Sequence, residues 1–259
     1  MTAGAQYGRD DFLRRIAARL GRSRPLDREP VRDVVGVPEY FARRRADRAE
    51  LVRRFVGNWE ALGGKAFVVP TATAAEEVGR LLAEIVAEHR ICRAARWVHP
   101  ELERLGVDAA LAKAGAETVL WAFDPSAEEG TTADEAYPAR RRLIEAAESC
   151  ELGVVCPDVA IADTGTIVLA AGPGRGRSVS LLPGVLFAVL PEERVVLRLG
   201  EAFEHFRAAY ADSEKRPSSL NLITGPSRSS DIENDLTIGV HGPGVVYAVV
   251  VGDSAFRSE

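Results

Sequence analysis

The sequence predicts an α/β domain, a mostly parallel sheet flanked by helices, with a helical arm in front of it. Three observations carry this. From Lys65 onward, short apolar runs rich in Val, Ile and Leu alternate with longer segments of helical periodicity, the rhythm of strands joined by crossover helices. Gly, Pro, Asp and Ser punctuate nearly every junction. The first sixty residues differ: they hold fourteen arginines against nine acidic residues, and their periodicity is purely helical.

Composition sets the class. The 259 residues are 46% hydrophobic and 27% charged, as in a globular protein long enough to bury a substantial core. The net charge of −5 argues against nucleic acid as the main partner. No run approaches the ~20 apolar residues of a membrane-spanning helix, and Met1 to Leu20 lacks the apolar core of a signal peptide; a cytoplasmic protein is expected. Cys92, Cys150 and Cys156 are an odd number without a C-x-x-C pair, so neither a disulfide framework nor a zinc or iron–sulfur site is expected. No metal or cofactor is assigned.

The elements follow in order. Asp10 to Leu20 is a short helix with Phe12, Leu13, Ile16 and Leu20 along one side, stopped by Gly21. Arg22 to Pro38 is a linker, and Glu39 to Leu62 one long helix ending at Gly63-Gly64. Its apolar face carries Leu51, Val52, Phe55, Val56, Trp59 and Leu62; its arginine face is a solvated one. Strands are expected over Ala66–Val69, Arg96–His99 and Thr118–Phe123. Between them lie a helix from Thr73 to Glu88, capped by Thr73 with Glu76, and a helix from Glu101 to Ala114 broken near Gly106. Ser126 to Pro138 reads as an acidic loop and Arg140 to Ser149 as a helix. Val154–Cys156 and Val159–Ala162 lead into a central strand, Thr166–Ala171. Then come strands at Leu186–Leu190 and Arg194–Leu197, a helix at Glu201–Ala211, a strand at Leu220–Ile223, a short helix at Asp231–Leu236 and a last strand at Val245–Val251.

Two loops concentrate the chemistry. Thr164, Gly165 and Thr166 open the central strand, and Gly172-Pro-Gly-Arg-Gly-Arg177 closes it, followed by Ser178. The glycine spacing misplaces the third glycine of a dinucleotide fingerprint. Glycines that let backbone N–H groups approach a ligand, beside guanidinium forks on Arg175 and Arg177, fit a carboxylate or phosphate. The alternative is a hairpin tip with solvated arginines. In the second loop Ser227, Arg228 and Ser229 precede a helix that Ser230 and Glu233 would cap, a place for an anion or a cap and no more. His241, set in a tight Gly-rich turn, and Glu233 are the candidate acid–base groups, with a turn histidine and a structural carboxylate as the plainer readings. His89, His99 and His205 lack partners at metal-ligand spacing and read as structural.

The strings ADTGTIVLAAGPGRGRSVSLLP and TGPSRSSDIENDLTIGVHGPGVVYAVVV resemble the LUD domain family, and within it the small members without cysteine clusters that serve L-lactate oxidation. The resemblance implies an arm over residues 1–62 and a LUD-type α/β domain over 63–259, similar in fold to the sugar-phosphate isomerase and CoA-transferase group. It further implies a subunit that binds a small carboxylate or other anion and partners carrying iron–sulfur clusters. Longer relatives carry ferredoxin-like cysteine motifs that this chain lacks, so any electron transfer belongs to another subunit. The alternative is a stand-alone enzyme acting on a phosphorylated or CoA-linked small molecule. The apolar side of the arm offers a route to homo-oligomers.

Overall fold

The computed structural model describes residues 8–26, 28, 44–122, 133–211, 216–230 and 236–256, those at 133–139 and 230 through the backbone alone. The chain forms two compact units, Met1–Arg45 and Ala46–Glu259. Within the first, helix α1 (Arg9–Arg19) has Asp10 and Asp11 in its opening turn and Arg19 in its last, the polarity that complements the helix dipole. Phe12, Ile16 and Leu20 on it are exposed.

The second unit opens with α2 (Arg48–Ala61), and here two expectations change. The helix begins at Arg48, not Glu39, because Asp47 accepts the Glu50 N–H through its side chain and ends the helix there; residues 39–43 lie outside the described ones. Leu51, Val52, Phe55 and Trp59 are buried in the main core. The compact unit therefore starts at Ala46 and includes α2, which the sequence grouped with the arm.

The remaining elements are β1 (Lys65–Val69), α3 (Ala74–His89), β2 (Arg93–Trp97), α4 (Pro100–Arg104), α5 (Val107–Lys113), β3 (Glu117–Trp121), α6 (Ala133–Glu148), β4 (Leu152–Val155), β5 (Val159–Ile161), β6 (Thr166–Ala170), α7 (Ser178–Leu181), β7 (Val185–Pro191), β8 (Val195–Val196), α8 (Leu199–Ala209), β9 (Leu220–Ile223), β10 (Arg228–Ser230), β11 (Leu236–Ile238) and β12 (Val245–Val251). The main sheet runs β1-β12-β7-β4-β2-β3, every pair parallel. This is the mostly parallel, helix-flanked sheet expected. Its strands read as near-continuous apolar runs because both faces are covered: β7 is buried from Val185 to Leu190, and β12 from Val246 to Val251.

β6, which the sequence makes central, lies outside that sheet. It sits in a second, four-stranded sheet ordered β8-β5-β6-β9. A single 3-10 turn at Ala162–Thr164 joins β5 to β6, and strands joined so tightly pair antiparallel, as these do. Helix α8 covers this sheet, with Phe206 and Ala202 packed among Val159, Ile161, Val168 and Ala170.

Smaller differences have local causes. The Thr73 hydroxyl makes no cap bond, since residues 71–73 already form a 3-10 turn. α6 begins at Ala133, within the expected loop, where Ala and Glu favour a helix. The break at Gly106 is present, with φ +66° between α4 and α5. The expected helix at Asp231–Leu236 falls largely outside the described residues. Its flanks pair as the antiparallel hairpin β10–β11, so Ser230 and Leu236 face each other across two strands.

Candidate functional site

The chain leaves β2 toward β3 on one side and β4 toward β7 on the other, so β2 and β4 form the switch point of the parallel sheet. Ligands of open α/β sheets bind beyond the carboxyl ends of the strands at such a point. The glycine loop that follows β6 is seated there. Val98 N–H donates to the Gly174 carbonyl at 2.9 Å, and Trp97 Nε1 donates to the Gly176 carbonyl at 2.8 Å. Gly174 has φ +69° and lies against Val98, while a Cβ at Gly176 would run into the Trp121 indole. These two glycines thus serve the fit of the loop onto β2 and β3.

Beside the loop opens a cavity of about 850 Å³. It is lined by Arg175, Arg177 and Ser178, together with Trp121, Arg140, Ile144 and Tyr210 and the segment Arg216–Ser219. Three of the residues singled out from the sequence therefore share a concave surface. The others were missed for a reason: they come from the end of β3, α6, the end of α8 and the entry to β9, and the pairing of β9 with β6, continued by the Ala171 N–H to Ser219 carbonyl bond at 3.0 Å, brings that entry alongside the glycine loop. Among the described residues the lining contains four arginines and no carboxylate.

The arginines differ in state. Arg175 donates to Asp158 at 2.9 Å and to the Tyr210 hydroxyl at 3.4 Å. Burial works against its charge, yet the Tyr210 and Asp158 oxygens outweigh burial and hold its pKa above the ordinary value. Asp158 Oδ2 also accepts the Ala170 N–H at 2.8 Å, so Arg175 is anchored to the strand that delivers the loop. Arg177 and Arg216 are exposed, and among the described residues neither makes an ion pair or a side-chain hydrogen bond.

The other sequence candidates lie elsewhere. Thr164, Gly165 and Thr166 sit at the opposite end of β6, about 15 Å along a five-residue strand. There the ADTG turn is a seat for α2. Arg54 pairs with Asp163 at 3.0 Å and Asn58 Nδ2 donates to the Ala162 carbonyl at 2.7 Å. Gly165 has φ +57°, and a side chain on it would meet the backbone of Asn58 and Trp59. The hydroxyls of Thr164, Thr166 and Thr224 form a ladder at 2.7 and 2.9 Å. The second loop closes the same end. Arg228 donates to the Leu62 carbonyl at the end of α2; Ser227 Oγ accepts the His241 backbone N–H at 3.3 Å. Ser229 lies in β10, opposite Thr237. The His241 side chain is exposed, and Glu233 lies outside the described residues. The two loops therefore do not meet in one anion site.

Behind the glycine loop, His99 Nδ1 accepts the Glu101 N–H at 3.1 Å and caps α4. Burial, then Arg194 and Arg175, hold its pKa below the ordinary value. Cys156 is buried beside the Arg194 guanidinium at 3.2 Å, and burial pushes its thiol up to about 12. It is a protonated packing group, unlike a nucleophile. Among the described residues no cluster of three or more His, Cys, Asp or Glu side chains could hold a metal ion, and no helix is long and apolar enough to cross a membrane.

The LUD domain profile matches residues 52–251. The chain belongs to the LUD domain family. Among curated relatives of this LUD-domain chain, a lactate utilization protein C of Halalkalibacterium halodurans is 30% identical over 248 residues, covering 95% of this chain and 98% of its own. Another from a Geobacillus species is 31% identical, covering 98% and 99%; one from an Exiguobacterium species is 32% identical, covering 98% and 100%. The crystal structure of a DUF162 family protein from Deinococcus radiodurans superposes with a TM-score of 0.51 at 20% identity, covering 80% of this chain and all of that one. That likeness bears on the fold.

Proposed function

We propose that this LUD-domain chain is the subunit without iron–sulfur clusters of an L-lactate oxidation system in the cytoplasm, working beside iron–sulfur protein subunits and binding a small organic anion. The observation that carries the reading is end-to-end similarity, at matching length, to relatives named for lactate utilization. The cavity beside the glycine loop, with four arginines and no carboxylate among the described residues of its lining, supports the anion. In this reading Arg177 and Ser178 meet the ligand, and Arg175, tied to Asp158, shapes the wall. Thr164, Thr166, Ser227 and Arg228 secure the far end of the second sheet, and no step is placed on His241 or Glu233.

A pull-down of the tagged full chain from cells grown on L-lactate tests the subunit claim. Iron–sulfur proteins recovered in near-equal amount are expected; recovery of the chain alone, through a tag shown to be accessible, overturns it. A second reading, a stand-alone enzyme on a phosphorylated or CoA-linked molecule, is favoured by one observation: the cavity volume of about 850 Å³ lies high in the range of roughly 300–1,000 Å³ typical of pockets for drug-sized ligands. It predicts turnover by the purified chain without partners.

A further inference from the structure

The same cavity carries its argument one step further, resting on the anion reading above. A small hydroxy acid would leave most of about 850 Å³ filled with water. The lining is instead divided by chemistry. One part is a largely apolar wall. The Trp121 indole lies against Gly176 with no room for a side chain between them. Tyr210 is stacked on Phe206 at 6.1 Å with an interplanar angle of 8°, and its hydroxyl is within 3.4 Å of Arg175. Ile144 adds an exposed aliphatic surface. Aromatic walls held by their own packing receive planar rings at little entropic cost.

The other part is cationic. Arg177 and Arg216 come from loops after β6 and before β9, each without an ion-pair partner among the described residues. Ser178, Ser218 and Ser219 supply hydroxyls beside them. In a chain of net charge −5, a concave surface that carries Arg177 and Arg216 and, among its described residues, no carboxylate concentrates positive potential in one place. Two guanidinium groups from separate loops suit an anion with more than one charged group, since each fork takes a pair of phosphate oxygens.

The geometry points to a nucleoside diphosphate as the ligand class: a planar ring on the Trp121–Tyr210 wall, with the diphosphate held by Arg177 and Arg216. The step is binding alone, with no bond made or broken. Arg175, neutralised by Asp158, is a positioning residue that keeps Tyr210 and the loop in place.

Calorimetric titrations of the purified full chain with ADP, inorganic pyrophosphate and L-lactate test this, on wild type and on Arg177→Ala and Arg216→Ala. Both arginines are exposed, so the variants keep the fold, which their melting temperatures check. The expected result is ADP binding that is at least about tenfold tighter than pyrophosphate binding, weakened about tenfold or more in each variant. Equal affinity for ADP and pyrophosphate overturns the ring contact, and ADP affinity unchanged in both variants overturns the site. L-lactate binding without ADP binding overturns the nucleotide while leaving the lactate reading intact. Binding of none of the three overturns both the nucleotide and the anion pocket, and leaves the subunit claim to the pull-down.

Discussion

The Trp121 indole occupies the space that a side chain at residue 176 would need. Gly176→Ala therefore forces either the indole or the loop to move. Overpacking of this kind costs about 1–3 kcal/mol, and urea unfolding of the variant is expected to show a loss in that range, whereas Gly184→Ala, with open space around it, is expected to lose less. The residue type was legible from sequence at such positions, and the partner was not. Arg175 and Arg228 both stood out as candidate anion forks. The fold gives Arg175 the Asp158 carboxylate and Arg228 the Leu62 carbonyl, partners seventeen and 166 residues away in the chain. A guanidinium's spacing to its neighbours in sequence carries no record of such a partner.

At the level of elements, α2 shows how periodicity and context divide the information. Its apolar stripe was readable, and Phe55 and Trp59 along it are fully buried. Its allegiance was not readable, because an amphipathic helix looks the same whether it covers its own sheet or another surface. Phe55→Ala is expected to destabilise the whole second unit by about 3–5 kcal/mol, against less than about 0.5 kcal/mol for exposed Arg53→Ala on the same helix; a single cooperative denaturation transition followed by fluorescence and circular dichroism checks both. A helix that belonged only to an arm would melt without the sheet. β6 makes the complementary point. Five fully buried residues identify a strand, yet a buried run is compatible with any sheet, and the tight turn before it decides the antiparallel one.

For the molecule as a whole, stability should be greatest over a plateau near neutral pH. His99 has a depressed pKa in the folded state, caused by burial and then by Arg194 and Arg175. Its contribution is complete above the unfolded value of about 6.5 and is lost as pH falls toward the folded value. Two carboxylates extend the acid limb. Glu101 is lowered chiefly by its hydrogen bond with Arg104; burial raises Glu151, but the N–H groups of Arg93 and Cys92, at 2.8 and 3.0 Å, outweigh it. Their contributions are present above about 4.3 and lost as pH falls through their lowered values. Cys156 works the other way: pushed up to about 12 by burial, it contributes below the unfolded value of about 8.5 and the contribution is lost as pH rises toward 12. Urea unfolding across about pH 3–10 is expected to show both limbs, about flat in between. His99→Asn, which keeps an acceptor for the α4 cap, should flatten the first part of the acid limb, and Cys156→Ala the alkaline one. A limb unchanged by its variant assigns that pH dependence to other groups.

By itself the sequence determined the α/β class, most strand positions, the amphipathic helices and the LUD family strings, since these rest on local periodicity, turn chemistry and contiguous motifs. Only the tertiary structure decided that α2 belongs to the main unit and that β6 lies in a second sheet. It alone placed Thr164 and Arg228 at one end of β6 and Arg177 at the other, with Arg216, Tyr210 and Trp121 beside it around one cavity. A concave site is formed by residues far apart along the chain. Their convergence depends on strand order and crossover paths, which single-strand patterns do not encode.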